Sequence, residues 1–211
     1  LRAGGRCGMI VPVSAISGAS YRPLSRLLLQ RQVWVSSYSN RPGKLFTNVE
    51  QRLAILLVSS AQPPALFTSS YRHWYEPERV HLFTTLTYTR SSPWSRTGMP
   101  LKSGTEQAEA IFARLTQLMG FPQLLCSQPG AAVWLHNGPT YWVRALPFEP
   151  NAGHTNARSN HYRKIPVSNQ RDAFLVAAVL SSSTFYFFYK LVSNCRDLGR
   201  KELWLFPLGH V

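Results

Sequence analysis

Seven rings, Tyr71, Trp74, Tyr75, Trp94, Trp134, Tyr141 and Trp142, interleave with Arg72, Arg79, Arg90, Arg96 and Arg144. Guanidinium groups grip phosphates, and flat aromatic faces stack on bases, so this mixture suits a nucleic acid. Over half of such rings are expected to be core instead. A shorter stretch concentrates the same chemistry. Asn40-Arg41-Pro42-Gly43-Lys44, then Leu45-Phe46, puts two cations and a phenyl ring on one polar hinge. That combination fits a phosphate-rich ligand that also offers a flat ring.

Other chemistries find little support. Glu76 and Glu78 flank Pro77 and read as a solvated turn rather than a carboxylate pair for acid–base work. Ser14, Ser17 and Ser20 lack the Gly-x-Ser-x-Gly setting of a hydrolase nucleophile. Gly4-Gly5 is not a Gly-x-Gly-x-x-Gly loop. His154 and His161 stand about two helical turns apart, too far to share an ion. With Arg158 and Arg163 nearby, that segment reads as a phosphate-facing loop rather than a zinc site. Cys7, Cys126 and Cys195 are odd in number and widely spaced; they suit a reducing, cytoplasmic setting. No catalytic residue, metal ligand or self-sufficient active site is expected in this chain.

The elements that must carry the hinge follow an α/β rhythm. Residues 7–11 read as a short strand that Pro12 ends, and residues 21–30 as a helix. In that helix Leu24, Leu27 and Leu28 share one face, with Arg22, Arg26 and Arg31 opposite. Pro23 suits the first turn. Residues 33–35 alternate as a strand, and the apolar run 53–58 reads as one buried on both faces. Pro42-Gly43 keeps the hinge between them out of any ladder. Ala61-Gln62-Pro63-Pro64 marks a composition shift, after which residues 80–83 suggest a strand and 91–104 a loop.

Thr105 is the expected N-cap of a helix through Met119, with Glu106 and Glu109 in its first turn. Ile111, Phe112, Leu115, Leu118 and Met119 would form its apolar stripe, and Gly120 its stop. Residues 132–136 and 140–145 flank Asn137-Gly138-Pro139 as a hairpin signal. Residues 170–180 and 184–192 read as two helices meeting at Ser181-Ser182-Ser183. The uncharged run 174–189 falls short of the ~20 residues that span a bilayer, so a buried pair is expected and no membrane partner.

The chain has 211 residues and a net charge of +14, from 23 basic and 9 acidic side chains, with a pI near 10.4. Such an excess favours polyanions, nucleic acid ahead of an anionic membrane. A biased, arginine-rich composition is the bland alternative. The chain opens on Leu1, and its first residues read as the interior of a longer protein.

Ser39-Asn40-Arg41-Pro42-Gly43-Lys44-Leu45-Phe46, followed by Val49-Glu50-Gln51-Arg52-Leu53-Ala54-Ile55, resembles the late catalytic-domain segment of adenine-specific DNA methyltransferases of restriction–modification systems, including fused restriction–methylation enzymes. Gly4-Gly5-Arg6-Cys7-Gly8-Met9-Ile10-Val11-Pro12 is similar to the strand after their Asn-Pro-Pro-Tyr motif. Leu180-Ser181-Ser182-Ser183-Thr184-Phe185-Tyr186 and Trp204-Leu205-Phe206-Pro207 resemble parts of their target-recognition regions.

The resemblance implies trailing strands of a Rossmann-like methyltransferase domain over residues 1–60. A mixed α+β target-recognition region would follow over 61–211. Phe46 matches the ring that stacks on a flipped adenine; its alternative is a core phenylalanine anchoring the loop. Asn40, Arg41 and Lys44 would contact the backbone of double-stranded DNA, and Arg96, Arg158, Asn160 and Arg163 would read it. S-adenosylmethionine is implied for the complete enzyme. None is expected on this chain alone, because the cofactor loop and Asn-Pro-Pro-Tyr are not in it, so a missing N-terminal half is the implied partner. A stand-alone DNA-binding specificity module is the second reading. A basic membrane-associated protein, separable by liposome flotation, is the third.

Overall fold

The structure is a computed structural model that describes residues 2–117, 130–150 and 161–207. It divides into two compact units, residues 1–112 with 190–195, and residues 113–189 with 196–211. The boundary expected near residue 60 falls between two strands of one sheet.

The first unit is mixed α/β. Its strands are β1 (Arg6–Pro12), β2 (Gln32–Tyr38), β3 (Leu53–Ser59), β4 (Ala65–Arg72) and β5 (Thr89–Ser91). They lie in the order β1-β3-β2-β4-β5. β3 is antiparallel to both β1 and β2, whereas β2 and β4 run parallel. Between β1 and β2 come α1 (Ser14–Ser17) and α2 (Arg22–Leu28), the latter with Pro23 in its first turn. One face of the sheet packs Val33, Val35, Ala54, Leu56, Val58 and Leu66 against Ile16, Leu28 and Leu29. This apolar set follows from strict alternation along β2 and β3.

Three sequence expectations need correction here. β3 is not buried on both faces: Leu56 is fully buried, yet its neighbour Leu57 is 46% exposed. β4 was missed, because its buried Thr68 and Ser69 read as polar loop. Residues 80–83 do not form a strand; a 3-10 turn covers Glu76–His81, and the Glu78 carboxylate accepts from the Tyr75 N–H at 2.7 Å. Local capping beats the β-propensity of Val80 and Phe83.

α3 (Glu106–Leu115) starts as expected, with Thr105 Oγ1 accepting from the Ala108 N–H at 3.1 Å. Phe112 buries its ring edge-on to Trp94, 5.2 Å between centroids, but Ile111 is exposed rather than part of the stripe. The expected end at Leu118, Met119 and Gly120 lies outside the described residues.

In the second unit β6 (Ala131–His136) is the middle of a sheet with β7 (Ala145–Leu146) and β8 (Tyr162–Val167). The hairpin signal is therefore only partly realised. Residues 140–144 stay out of the ladder, and the long partner of β6 is β8. α4 (Gln170–Leu180) is capped by Asn169, which accepts from the Asp172 N–H. α5 (Ser183–Val192) follows at a 61° bend. α4 buries Ala173, Val176, Ala177 and Leu180. After α6 (Arg200–Leu205), Phe206 packs edge-on to Phe185 and Phe188. Among the described residues no single helix is long and apolar enough to cross a membrane.

Candidate nucleic-acid interface

The hinge begins where β2 leaves the ladder. The Ser39 N–H still reaches the Arg72 carbonyl at 2.8 Å, and then the chain turns through a cis Arg41–Pro42 bond. Asn40 is buried; its Nδ2 donates to the Glu50 carbonyl at 3.1 Å, while Oδ1 has no partner. Gly43 donates its N–H to the Trp74 carbonyl at 2.8 Å and lies flat on the indole. A Cβ there would come within 2.8 Å of the ring, so the close approach needs glycine. Trp74, Tyr38 and Leu82 form the cluster beneath, joined by Leu45, Ile55 and Leu86.

This packing places Phe46 outside the core. Leu45 is the side chain that anchors the loop, and Phe46 is 47% exposed. The core alternative for Phe46 is thereby removed. Arg41 is exposed as well. Lys44 is not free: its ammonium is paired with Glu50, and that hydrogen bond holds the Glu50 carboxyl below its ordinary range. Arg79, which the sequence did not tie to the hinge, braces it. Its guanidinium lies 5.1 Å over the Trp74 ring, donates to the Leu45 and Lys44 carbonyls, and bonds Glu76 at 2.6 Å. The signal was Gly43, whose need for a flat neighbour shows only once Trp74 is folded against it.

The hinge is therefore a rigid shelf with its reactive groups outward. Phe46 and Arg41 face solvent, and Tyr75 and Phe83 are exposed on the adjoining segment, 64% and 56%. Phe83 meets Tyr38 edge-on at 6.0 Å. Of the seven rings singled out in the sequence, Tyr71, Trp74 and Trp94 are buried, while Tyr75, Tyr141 and Trp142 are exposed. Trp134 is half-buried beneath Lys164. The expected majority of core rings is not reached.

Arg96 is exposed and lines a small cleft with Arg22 and Arg26. Arg163, half-buried on β8 opposite Leu135, belongs to the second unit. Arg158, Asn160 and His154 lie outside the described residues. His161 instead stacks on His136, with centroids 6.0 Å apart. Burial, Arg144 and His161 push the His136 pKa down. No group of three or more metal-ligating side chains occurs among the described residues.

The opposite face of the first sheet completes the site's surroundings. Its far end is closed by the Tyr38–Trp74 cluster; towards the other end Gly8 and Leu57 are exposed and Trp34 is half-buried. There Ile10 is 52% exposed, and Trp34 stacks on Phe67 at 5.3 Å. An open cavity of about 680 Å³ sits over Arg6, Gly8, Trp34, Leu57 and Tyr88. No carboxylate lines this cavity or the other three described in the unit, so nothing there would hold the ribose hydroxyls of S-adenosylmethionine. No protein-family model matches the sequence, and no curated protein does.

Proposed function

We propose that this chain supplies the C-terminal half of a site-specific adenine DNA methyltransferase of the restriction–modification type. In this reading it contributes one wall of the adenine pocket and the DNA-recognition surface. A partner half brings the cofactor loop and Asn-Pro-Pro-Tyr, and the whole works in the cytoplasm, where free Cys7 and Cys195 stay reduced.

The observation that carries the reading is the bare apolar region of the first sheet. Only β2 and β4 pair in parallel, and an antiparallel sheet can turn one face to water, but such a face alternates to polar residues. Ile10, Trp34, Leu57 and Phe67 are not such residues. They fit a surface that another layer covers, and the trailing strands of a Rossmann-like domain would have that layer from the other half. The hinge supports the same reading. Methylating an adenine amine requires the base to leave the stack, and an extruded base must be held by a ring and hydrogen bonds. Phe46 offers the exposed ring beside Arg41, and the partnerless Asn40 Oδ1 is a buried acceptor in the same loop. The stand-alone DNA-binding module remains the second reading; the exposed Phe46 and Arg41 serve it equally well.

The test joins the chain to an N-terminal methyltransferase half that carries the cofactor loop and Asn-Pro-Pro-Tyr, and follows methyl transfer from S-adenosylmethionine to adenine in duplex DNA. Phe46→Ala is expected to slow transfer by about 5- to 150-fold, the equivalent of ~1–3 kcal/mol of base stacking. Leu57→Lys should uncouple the two halves while the chain stays folded. Transfer at the parental rate in both variants sinks the reading.

A further inference from the structure

α2 places Arg22 and Arg26 one turn apart on one helix ridge. A tight turn closes in front of them: the Trp94 N–H reaches the Met99 carbonyl at 3.0 Å, and the Gly98 N–H reaches Trp94 at 2.7 Å. Gly98 has φ +68°, a conformation that glycine adopts without strain. The buried Ser25 hydroxyl donates to the Gly98 carbonyl at 2.8 Å, which pins this turn to the helix. The result is a cleft of about 150 Å³ lined by Arg22, Arg26, Ser95, Arg96, Thr97 and Gly98. By volume it holds about five waters, room for one tetrahedral anion and part of its hydration.

Three guanidinium groups line this cleft, and no carboxylate does. Elsewhere in the unit, four of the five acids are engaged, Glu50 by Lys44, Glu76 by Arg79, Glu78 by the Tyr75 N–H, and Glu109 by Ser91 and Ser103, and Glu106 is exposed at the start of α3. A guanidinium fork matches phosphate oxygens two at a time.

We infer that the cleft formed by Arg22, Arg26 and Arg96 binds a phosphate of the nucleic-acid backbone, as an anchoring point separate from the hinge. The inference rests on the nucleic-acid part of the reading above and not on methyl transfer. α2 packs on the helix-covered face of the sheet, so DNA held here leaves the bare face free for another layer. Backbone rather than base is the target, because positioning contacts to phosphate need charge and forks but no base-edge pattern.

The experiment uses the whole chain and the variant Arg22→Gln/Arg26→Gln/Arg96→Gln, all three being exposed and so dispensable for folding. A control, Arg2→Gln/Arg171→Gln/Arg200→Gln, removes the same charge from exposed positions elsewhere. Binding of a short mixed-sequence duplex is measured as log K against log salt. The cleft variant is expected to lose at least about tenfold in affinity, and its slope should fall by about 1–3, one for each lost phosphate contact. The control should change neither by as much. Inorganic phosphate at constant ionic strength should raise the melting temperature of the parent and the control but not of the cleft variant.

Equal losses in the two variants, or no phosphate effect on the parent, overturn the site. A phosphate effect without any change in duplex binding reassigns the cleft to free phosphate or a phosphomonoester. That outcome overturns the backbone assignment while leaving the hinge's role in DNA binding intact. Binding to phosphatidylglycerol vesicles through the cleft, with no duplex binding, overturns it in favour of a lipid headgroup.

Discussion

Leu56 and Leu57 are consecutive in one strand, yet the first is fully buried and the second 46% exposed. They mark the two faces of the five-stranded sheet. Under α1 and α2 the residues Val33, Val35, Leu56 and Leu66 are each less than 5% exposed. On the other face Gly8, Ile10, Trp34, Leu57 and Phe67 are as apolar by type, but only the end near Tyr38 and Trp74 is covered. The second face also carries Arg6, Gln32, Ser59 and Arg90 beside these residues, so polarity and cover both separate the faces. Burial of apolar area is what stabilises, at roughly 25 cal/mol per Å², so one face holds the unit together and the other stores that capacity unused.

The sharpest way to break this comparison is a paired truncation. Leu56→Ala is expected to cost about 2–5 kcal/mol, the transfer loss plus a cavity in a face that cannot collapse. Leu57→Ala should stay within about 0.5 kcal/mol, since its side chain is already wet. Urea unfolding of both variants measures the contrast. Similar losses at the two positions would mean that something already covers the second face.

A smaller effect sharpens the description of the bare face itself. Trp34 and Phe67 sit opposite each other on β2 and β4, stacked at 5.3 Å with planes 11° apart. Aromatic pairs add about 0.5–1.5 kcal/mol beyond their area. A double-mutant cycle through Trp34→Ala and Phe67→Ala should return a coupling in that range. A coupling near zero would show that the rings are merely adjacent, and the face less ordered than its strands.

These two faces were unequally legible in the sequence. The covered one announced itself, because Val33, Val35, Leu56 and Val58 alternate as a half-buried strand does. Strand 2 was found from its alternation, strand 3 from its apolar run, α2 from its helical spacing and Pro23, and α3 from the cap Thr105, its acidic first turn and its apolar spacing. β4 escaped because its interior is built with hydroxyls: Thr68 Oγ1 and Ser103 Oγ lie 3.1 Å apart, both buried. A buried hydrogen-bonded pair carries no hydropathy signal. The hinge was recognised from its own residues, but Trp74 and Arg79, which hold it, lie over 30 positions away along the chain. The Arg22–Arg26–Arg96 cleft joins two segments that look like a helix face and a loop when read separately.

The mildest test is a proton placed on the covered side. His73 follows β4, and its ring meets Tyr71 of the helix-covered core edge-on at 5.2 Å. Its Nδ1 lies 3.3 Å from the Arg41 carbonyl, so the same ring also touches the hinge. Burial pushes its pKa below the ordinary histidine range; the carbonyl pulls up, and the Lys190 and Arg52 charges push down further.

The unfolded chain therefore takes up a proton at a higher pH than the folded one. Stability from this group is fully present above about pH 6.5 and declines as pH falls through that value towards the folded pKa. His73→Gln should flatten this stretch of the stability-against-pH curve, measured by urea midpoints between about pH 7.5 and pH 5. On the other face Ile10, Trp34, Leu57 and Phe67 have nothing to titrate, so Leu57→Ala should leave the slope untouched. An unchanged slope in His73→Gln, or a changed one in Leu57→Ala, would mean that acid acts on the sheet by another route than its helix-covered side.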